Sequence, residues 1–502
     1  MPFTKAKTRT MKLKISQQLN LINFNTLWFS TAKEDVLAGM TVALALIPES
    51  LAFSAIAKVD PMVALYTSFS MAVVISLVGG RPGMISAATG SMALLMTTLV
   101  EKHGVEYLFA ATILTGIIQF IIGILKLERF FTFIPQSVVS GFVNALAILI
   151  FMAQLQQFAG QSWQMYAMVA GTLAIVYLLP CVTKSVPSPL IAITIMTIVA
   201  IFTGVDIRRV GDIGEIPRTL PFFHIPNVNL VPETLSIIFP YSLTLAIVGL
   251  LESLLTAAII DELTDTKSSK NKEVRGQGIA NMVTGCFGGM AGCGMVGQSI
   301  INIRSGGKSR LSTLVSGIFL LFSIFILRDV VTKIPMAALV GVMFMVSVET
   351  FDWKSLKGLR KMPFSEALVM PFTVAIVVWT HDLAKGVLAG VIISTLVFGW
   401  KISHIKITTS LESNDFKKYT VSGQLFFGSM TNFVEVFNYN KDPGNIVIDF
   451  SNSHIWDYSA VTAILKIVYK YQKLNKNVTI VGLNKESKLF ARKIGVPELS
   501  LH

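Results

Sequence analysis

Charge is scarce in this chain: Asp, Glu, Lys and Arg make up 14% of its 502 residues, where a soluble protein averages roughly a quarter. Cysteine is scarcer still. Cys181, Cys286 and Cys293 form an odd set in apolar or Gly-rich stretches, which excludes a disulfide framework and reads as small packing residues. Neither CxxC nor HExxH occurs, so the chain offers no zinc-type motif. Gly306-Gly307-Lys308-Ser309 resembles the end of a phosphate loop, but Asn302 stands where its first glycine belongs, which argues against ATP hydrolysis. An enzyme is therefore not expected, nor a bound cofactor. A removable signal peptide is not expected either, because the first 34 residues carry basic side chains but no apolar run abutting a small-residue cleavage site. The first span is expected to double as the insertion signal.

What the chain has in abundance is apolar length. Hydrophobic residues make up 53%, and the mean hydropathy is +0.65. Leu108–Leu125, Val138–Ala153, Pro189–Thr203, Leu311–Leu327 and Val387–Trp400 with its flanks approach the ~20 apolar residues that span a bilayer. The chain reads as a polytopic helical protein of the cell membrane.

The net charge of +13 invites a nucleic-acid reading, but the basic residues collect at the ends and in alternate connections rather than on one face. With the amino terminus inside, cytoplasmic segments through residue 361 hold 21 Lys or Arg, from Lys5 to Lys361, and the opposite set holds 8, from Lys58 to Lys385. That asymmetry satisfies the positive-inside rule with an even number of crossings, so both termini are expected to be cytoplasmic.

Two carboxylates in this apolar setting carry the same surroundings. Glu49-Ser50-Leu51-Ala52-Phe53-Ser54-Ala55-Ile56 and Glu252-Ser253-Leu254-Leu255-Thr256-Ala257-Ala258-Ile259 agree at five of eight positions across 203 residues. Thr132-Phe133-Ile134-Pro135 with Gly141 echoes Thr332-Lys333-Ile334-Pro335 with Gly341 at an offset of 200. Two similar offsets imply one duplication, and seven crossings per copy would invert the second copy, as in secondary transporters. The repeats are placed at about 35–205 and 235–405.

Broken spans mark binding sites in such folds, and Gly83–Ser91 and Gly289–Ser299 are Gly-interrupted segments that both begin Gly-Met. Each is expected to run extended into a half-helix whose free N–H groups and positive dipole end hold an anion. The candidate substrate-binding residues are Ser86, Ala88, Thr89, Gly90 and Ser91 from the first segment, and Met295, Val296, Gly297 and Gln298 from the second. Phe53 and Ser54 join them from the first span. The bland alternative is glycines that let helices pack closely.

An ionisable residue inside a span usually lines a transport route. Glu252 is the first choice for coupling; Thr256, four residues on, shares its face, so the pair would hold sodium together or the carboxylate would carry a proton. Glu49, after the helix-breaking Pro48, ranks below it. A protonated structural partner of a neighbouring Ser or Thr is the plain alternative for Glu252.

After about Ser410 the texture changes. Alternating runs at Tyr419–Phe427, Ile446–Phe450 and Val478–Val481 enclose helical patterns at Thr431–Phe437 and Ala460–Leu474, which predicts a small soluble α/β domain at 416–502 behind a linker at 406–415. Residues 1–34 read as a cytoplasmic segment and 35–405 as the membrane domain.

These marks together resemble the sulfate permease anion transporters over nearly the whole chain: Ile47-Pro48-Glu49-Ser50-Leu51-Ala52-Phe53, Gly276-Gln277-Gly278-Ile279-Ala280-Asn281, Gly306-Gly307-Lys308, and a tail similar to a STAS domain through Ile448-Asp449-Phe450-Ser451 and Asp457-Tyr458-Ser459-Ala460. The resemblance implies fourteen spans as 7+7 inverted repeats, a core domain moving as an elevator against a gate domain, and a homodimer. It implies that the third and tenth spans meet as half-helices around the anion, completed by the first and eighth.

Gln298 stands where several vertebrate relatives have Arg, and Val296 near where sodium-coupled relatives offer a hydroxyl, so protons are favoured over sodium. Ser459 matches the phosphorylated serine of bacterial STAS proteins, a candidate regulatory phosphosite open to a cytoplasmic regulator; a plain helix cap is the alternative. The expected function is cation-coupled uptake of a small anion of the sulfate, bicarbonate or dicarboxylate class. The competing expectation is an uncoupled exchanger or channel-like anion-binding membrane protein.

Overall fold

The computed structural model describes residues 28, 31–127, 129, 134–182, 188–212, 222–229, 231–380, 383–413 and 415–494. Thr132-Phe133 of the second echo, Lys184, Arg218 and the basic residues 5–14 lie outside them. The chain divides into two compact units, one formed by residues 1–362 with 367–390 and the other by 391–502 with 363–366.

In the first unit, helices α1 (Ala32–Ala57) and α2 (Pro61–Val78) lead to a three-residue strand β1 (Ser86–Ala88), followed by α3 (Gly90–His103), α4 (Val105–Ile124), α5 (Gln136–Leu155), α6 (Trp163–Val182) and α7 (Ser188–Thr203). A second series repeats the order. It runs α8 (Pro232–Thr264), α9 (Lys270–Cys286), strand β2 (Gly292–Gly294), α10 (Val296–Arg304), α11 (Arg310–Val331) and α12 (Met336–Thr350), then two short helices, α13 (Trp353–Leu359) and α14 (Phe364–Ala367), and finally α15 (Val369–Thr380) and α16 (Leu383–Ile402); residues 364–366 of α14 and 391–402 of α16 are counted with the second unit. Among the described residues eight helices are long and apolar enough to cross a membrane, and three shorter apolar helices accompany them.

The two series interlock rather than sit side by side. The second helix of each packs on the fourth of the other, α2 on α11 and α9 on α4, and the fifth helices α5 and α12 pack together. The α4–α9 contact needs glycine on both sides, because a Cβ at Gly116 would stand 2.5 Å from the Gly278 carbonyl and one at Gly278 2.6 Å from the Phe120 nitrogen. Backbones that close leave no room for a side chain. Buried polar groups stitch the same layer: Glu273, fully buried, accepts from Gly80 and Arg81 N–H at 2.6 and 3.0 Å, and Asp35 accepts from Lys308 and Ser309 N–H at 2.8 and 3.0 Å.

The second unit is a four-stranded sheet in the order β3-β4-β5-β6, built from Lys406–Ser413, Phe416–Leu425, Asn445–Ile455 and Asn477–Val481. The β3–β4 pair is antiparallel and the other two are parallel. Residues 406–413, expected to be linker, are therefore a strand, and the domain begins about ten residues earlier than the pattern implied. As an edge strand with one ladder, β3 has no need of a buried apolar run, which is why its polar sequence concealed it. Helices α17 (Met430–Glu435), α18 (Tyr458–Lys473) and α19 (Lys485–Ile494) complete the unit. Its core gathers Tyr419, Phe433, Ile448, Phe450, Ile464 and Tyr471. Asp442 sits within it, accepting from Lys417 Nζ and Tyr419 Oη at 2.6 Å each and from Tyr471 Oη.

Candidate functional site

The two Gly-interrupted segments meet. Strands β1 and β2 pair antiparallel with Ser86 opposite Gly294, Ala87 opposite Cys293 and Ala88 opposite Gly292. Each strand feeds a helix two residues later, so α3 and α10 leave the pair in opposite directions. A Cβ at Gly292 would lie 2.5 Å from the Ala87 carbonyl, which is why that position carries none.

Neither half-helix has a side-chain cap. The ladder of α3 begins with Ala93 N–H on Thr89 C=O at 3.0 Å, and that of α10 with Ser299 N–H on Met295 C=O at 3.1 Å. The N–H groups of Gly90, Ser91 and Met92, and of Val296, Gly297 and Gln298, thus have no intrahelical acceptor. Such groups, with the positive dipole end behind them, suit an anion without a full counter-charge.

Glu252, midway along α8, reaches both segments. Its Oε2 accepts from Ser91 Oγ on α3 and from Cys293 Sγ on β2, each at 2.6 Å. Thr89 closes a ring, 3.0 Å from Ser91 Oγ and 3.3 Å from Cys293 Sγ. Thr256 takes a different part: its hydroxyl donates to the main-chain carbonyls of Glu252 and Gly294 at 2.7 and 3.2 Å, so it ties α8 to β2 and does not converge with the carboxylate.

Glu49 on α1 mirrors Glu252 across the repeat. It accepts from Gln298 Nε2 in the first turn of α10 at 2.7 Å, so each carboxylate touches the half-helix of the other repeat. Gln298 is itself buried, and its Oε1 has no hydrogen-bond partner among the described residues.

The other expected positions divide. Phe53 is buried with its ring against the start of α3, since a Cβ at Gly90 would lie 3.1 Å from Phe53 Cε1 and 3.0 Å from Ile150 Cδ1. Gly297 borders open space, with nothing within 4 Å of the place its Cβ would occupy. Ser54 is not brought to the half-helices by its hydroxyl, which donates to Leu51 C=O on its own helix at 2.7 Å. The Ser86 hydroxyl accepts from Gln277 Nε2 at 2.7 Å, and the Ala88 N–H donates to Ser68 Oγ at 3.3 Å, so both serve the strands' support. Met295 precedes the first turn of α10, giving its N–H to Ile85 C=O at 2.9 Å, and Val296 opens the helix half-buried.

Several supporting residues were given no role in the sequence reading. Glu273, Gln277 and Asn281, all fully buried, form a polar stripe at four-residue spacing on α9. Asn281 receives the Gly292 N–H at 2.9 Å and gives its own Nδ2 to the Gly292 carbonyl at 3.1 Å. Three polar residues at four-residue spacing on one helix were the available signal. Cys293 was read as packing, and it makes two polar contacts.

In the second unit, the cap of α18 comes from Asp457, whose Oδ1 accepts from Ala460 N–H at 2.9 Å. The expectation that Ser459 would supply a plain cap is thereby corrected; Ser459 is exposed in the first turn.

Comparison with known proteins places these features. The sulfate permease family model matches residues 33–176 and 161–373, and the STAS domain model matches 409–500. YbaR of Bacillus subtilis, named as a candidate sulfate transporter, is 59% identical over 93% of this chain and 98% of its own. The bicarbonate transporter BicA of Picosynechococcus is 28% identical over 91% of this chain and 90% of its own. Among solved structures, the transmembrane domain of a cyanobacterial BicA aligns with a TM-score of 0.64 at 28% identity, covering 73% of this chain and 98% of that one. Murine Solute Carrier 26 family member A9 shares the fold with a TM-score of 0.81 at 16% identity, over 93% of this chain and 88% of that one.

Proposed function

The chain belongs to the sulfate permease family, and on that premise we propose that it is a secondary transporter of small anions, driven by protons. One observation carries the reading: two extended segments pair so that two uncapped helix starts open from one place, with a half-buried carboxylate bonded to both segments. A cradle of backbone N–H groups binds negative charge without a full counter-charge, which leaves the anion free to dissociate. It suits sulfate, bicarbonate, chloride and dicarboxylates alike; the sulfate and bicarbonate names of the relatives put those two first.

Proton coupling is favoured over sodium because Thr256 gives its hydroxyl to main-chain carbonyls, so the oxygen pair that Glu252 and Thr256 would offer a cation does not form. Glu252 carries the proton in this account and Thr256 holds its helix to β2. The antiparallel strands and the swapped packing of α2 on α11 and α9 on α4 support fourteen crossings in inverted repeats, with the α1–α4 and α8–α11 group as the moving part. Both termini lie in the cytoplasm of a cell-membrane homodimer, and Ser459 offers a regulatory phosphorylation site.

Proteoliposome uptake tests this. Radiolabelled sulfate or bicarbonate accumulates when the outside is acidic, and unlabelled competitors from the same panel rank the cargo. Equal accumulation with and without the gradient would favour the uncoupled exchanger.

A further inference from the structure

We propose, as a deepening of the proton-driven reading, that Cys293 is a positioning residue whose thiol governs how readily Glu252 gives up its proton. The thiol lies at the crossing of the two segments, fully buried, 2.6 Å from Glu252 Oε2 and 3.3 Å from Thr89 Oγ1. Glu252 Oε2 also accepts from Ser91 at 2.6 Å. A carboxylate accepts hydrogen bonds at every lone pair, so its charged form depends on these two donors, whereas the neutral acid depends on them far less. When Glu252 releases its proton to water, the S–H group remains, beside the Ser91 and Thr89 hydroxyls, among the bonds holding the charge left behind.

No stronger charge competes for that role. The elements packed on α8 are α3, α4, α9, α10 and β2. Their other ionisable groups stand toward helix ends: Glu101, Lys102 and His103 close α3, Glu106 opens α4, Lys270, Lys272, Glu273 and Arg275 open α9, Cys286 closes it, and Arg304 closes α10. Glu101 pairs with Lys58, Glu106 with His224, and Glu273 with backbone N–H groups. On α8 itself, Glu233, Asp261 and Glu262 lie in the terminal turns, and Tyr241 packs with Tyr107 of α4 against the apolar cluster of Leu99, Ala110, Ala111 and Ile238.

The thiol also has a geometric duty. Glu252 belongs to the second repeat and Thr89 and Ser91 to the first, so the ring through Cys293 fixes the carboxyl against the α3 start where an anion would sit.

Infrared difference spectroscopy on the full-length protein in lipid measures this without any anion or transport, by following the carboxylic C=O band of Glu252 with pH. Loss of the band in Glu252→Gln assigns it. Removing one donor to a charged group in Cys293→Ala should raise the titration midpoint by about one pH unit. Cys293→Ser, with the stronger hydroxyl donor, should lower it by roughly half a unit. The order Ser below wild type below Ala supports the assignment, and the Ser variant alone decides by its downward shift should the Ala variant fold poorly. Midpoints that coincide with the wild type, or a Ser variant that shifts upward, overturn it. Sulfate uptake run in parallel separates the two proposals: if the midpoints order as expected but uptake ignores the proton gradient, the coupling reading falls and the role of Cys293 stands.

Discussion

The two repeats hold equivalent carboxylates in unequal company. Glu252 receives a hydroxyl and a thiol from the crossing segments, while Glu49 receives a single amide from Gln298. The half-helices differ in the same way: Gly90 is packed under Phe53 and Ile150, and Gly297 faces open space. A duplicated scaffold has thus been divided, with the first repeat's half-helix held tightly and bonded to Glu252, and the second repeat's left with room beside it. Symmetry supplies the cradle, and the departures from it assign the roles.

The sharpest way to break that comparison is at the glycines. Gly297→Leu should fill the open space and weaken sulfate binding by about 100-fold, the loss of a few charge-assisted backbone bonds, while thermal stability in detergent hardly changes. Gly90→Leu should lose binding too, but with about 1–3 kcal/mol of stability as Phe53 and Ile150 are displaced. Equal stability in both variants would erase the packing difference.

Next in size is the carboxylate pair. Glu252→Gln should abolish proton-driven accumulation while leaving sulfate–sulfate exchange, measured as counterflow. Glu49→Gln should lower uptake by roughly threefold, the scale of one partly satisfied hydrogen bond. Reversed effects would put the coupling group in the other repeat.

Smaller still is the seam between repeats. Gly278→Ala drives a methyl into the α4 backbone and should cost about 1–3 kcal/mol in thermal unfolding. Transport by the surviving folded protein should be unchanged.

The second unit offers a contrast outside the membrane. Burial works to raise the Asp442 carboxyl, yet the bonds from Lys417, Tyr419 and Tyr471 outweigh it and hold the group below its ordinary value. A depressed carboxyl stabilises the fold above its unfolded value, about 3.9, and that contribution is lost as pH falls through the folded value. Pulse proteolysis should show this unit loosening on acidification below about pH 4, and Asp442→Asn should lose roughly 1–3 kcal/mol at neutral pH. A wild-type pH profile in the variant would contradict the role of the cluster.

Much of this was legible in residues. The spans announced themselves by apolar length, the duplication by Glu-Ser-Leu, and the half-helices by paired Gly-Met segments, because each is a local property of the chain. The pairing of β1 with β2 was not, since three residues carry no period and their partner lies over 200 positions away. The same distance hid Gln298 from Glu49 and Cys293 from its ring. Thr256 misled for the opposite reason: its spacing from Glu252 is right for a shared face, but a threonine hydroxyl in a helix finds the carbonyl four residues back before it finds a side chain. Strand β3 was lost to its polar composition.

The central claim is that an anion sits between the starts of α3 and α10. Anomalous diffraction from crystals soaked in selenate, a heavier stand-in for sulfate, tests it directly. The account expects a selenium peak about 4 Å from the backbone nitrogens of Ser91 and Gly297, the reach of an oxyanion bonded at ~2.9 Å. A peak elsewhere in the membrane unit, with that position empty, would contradict it.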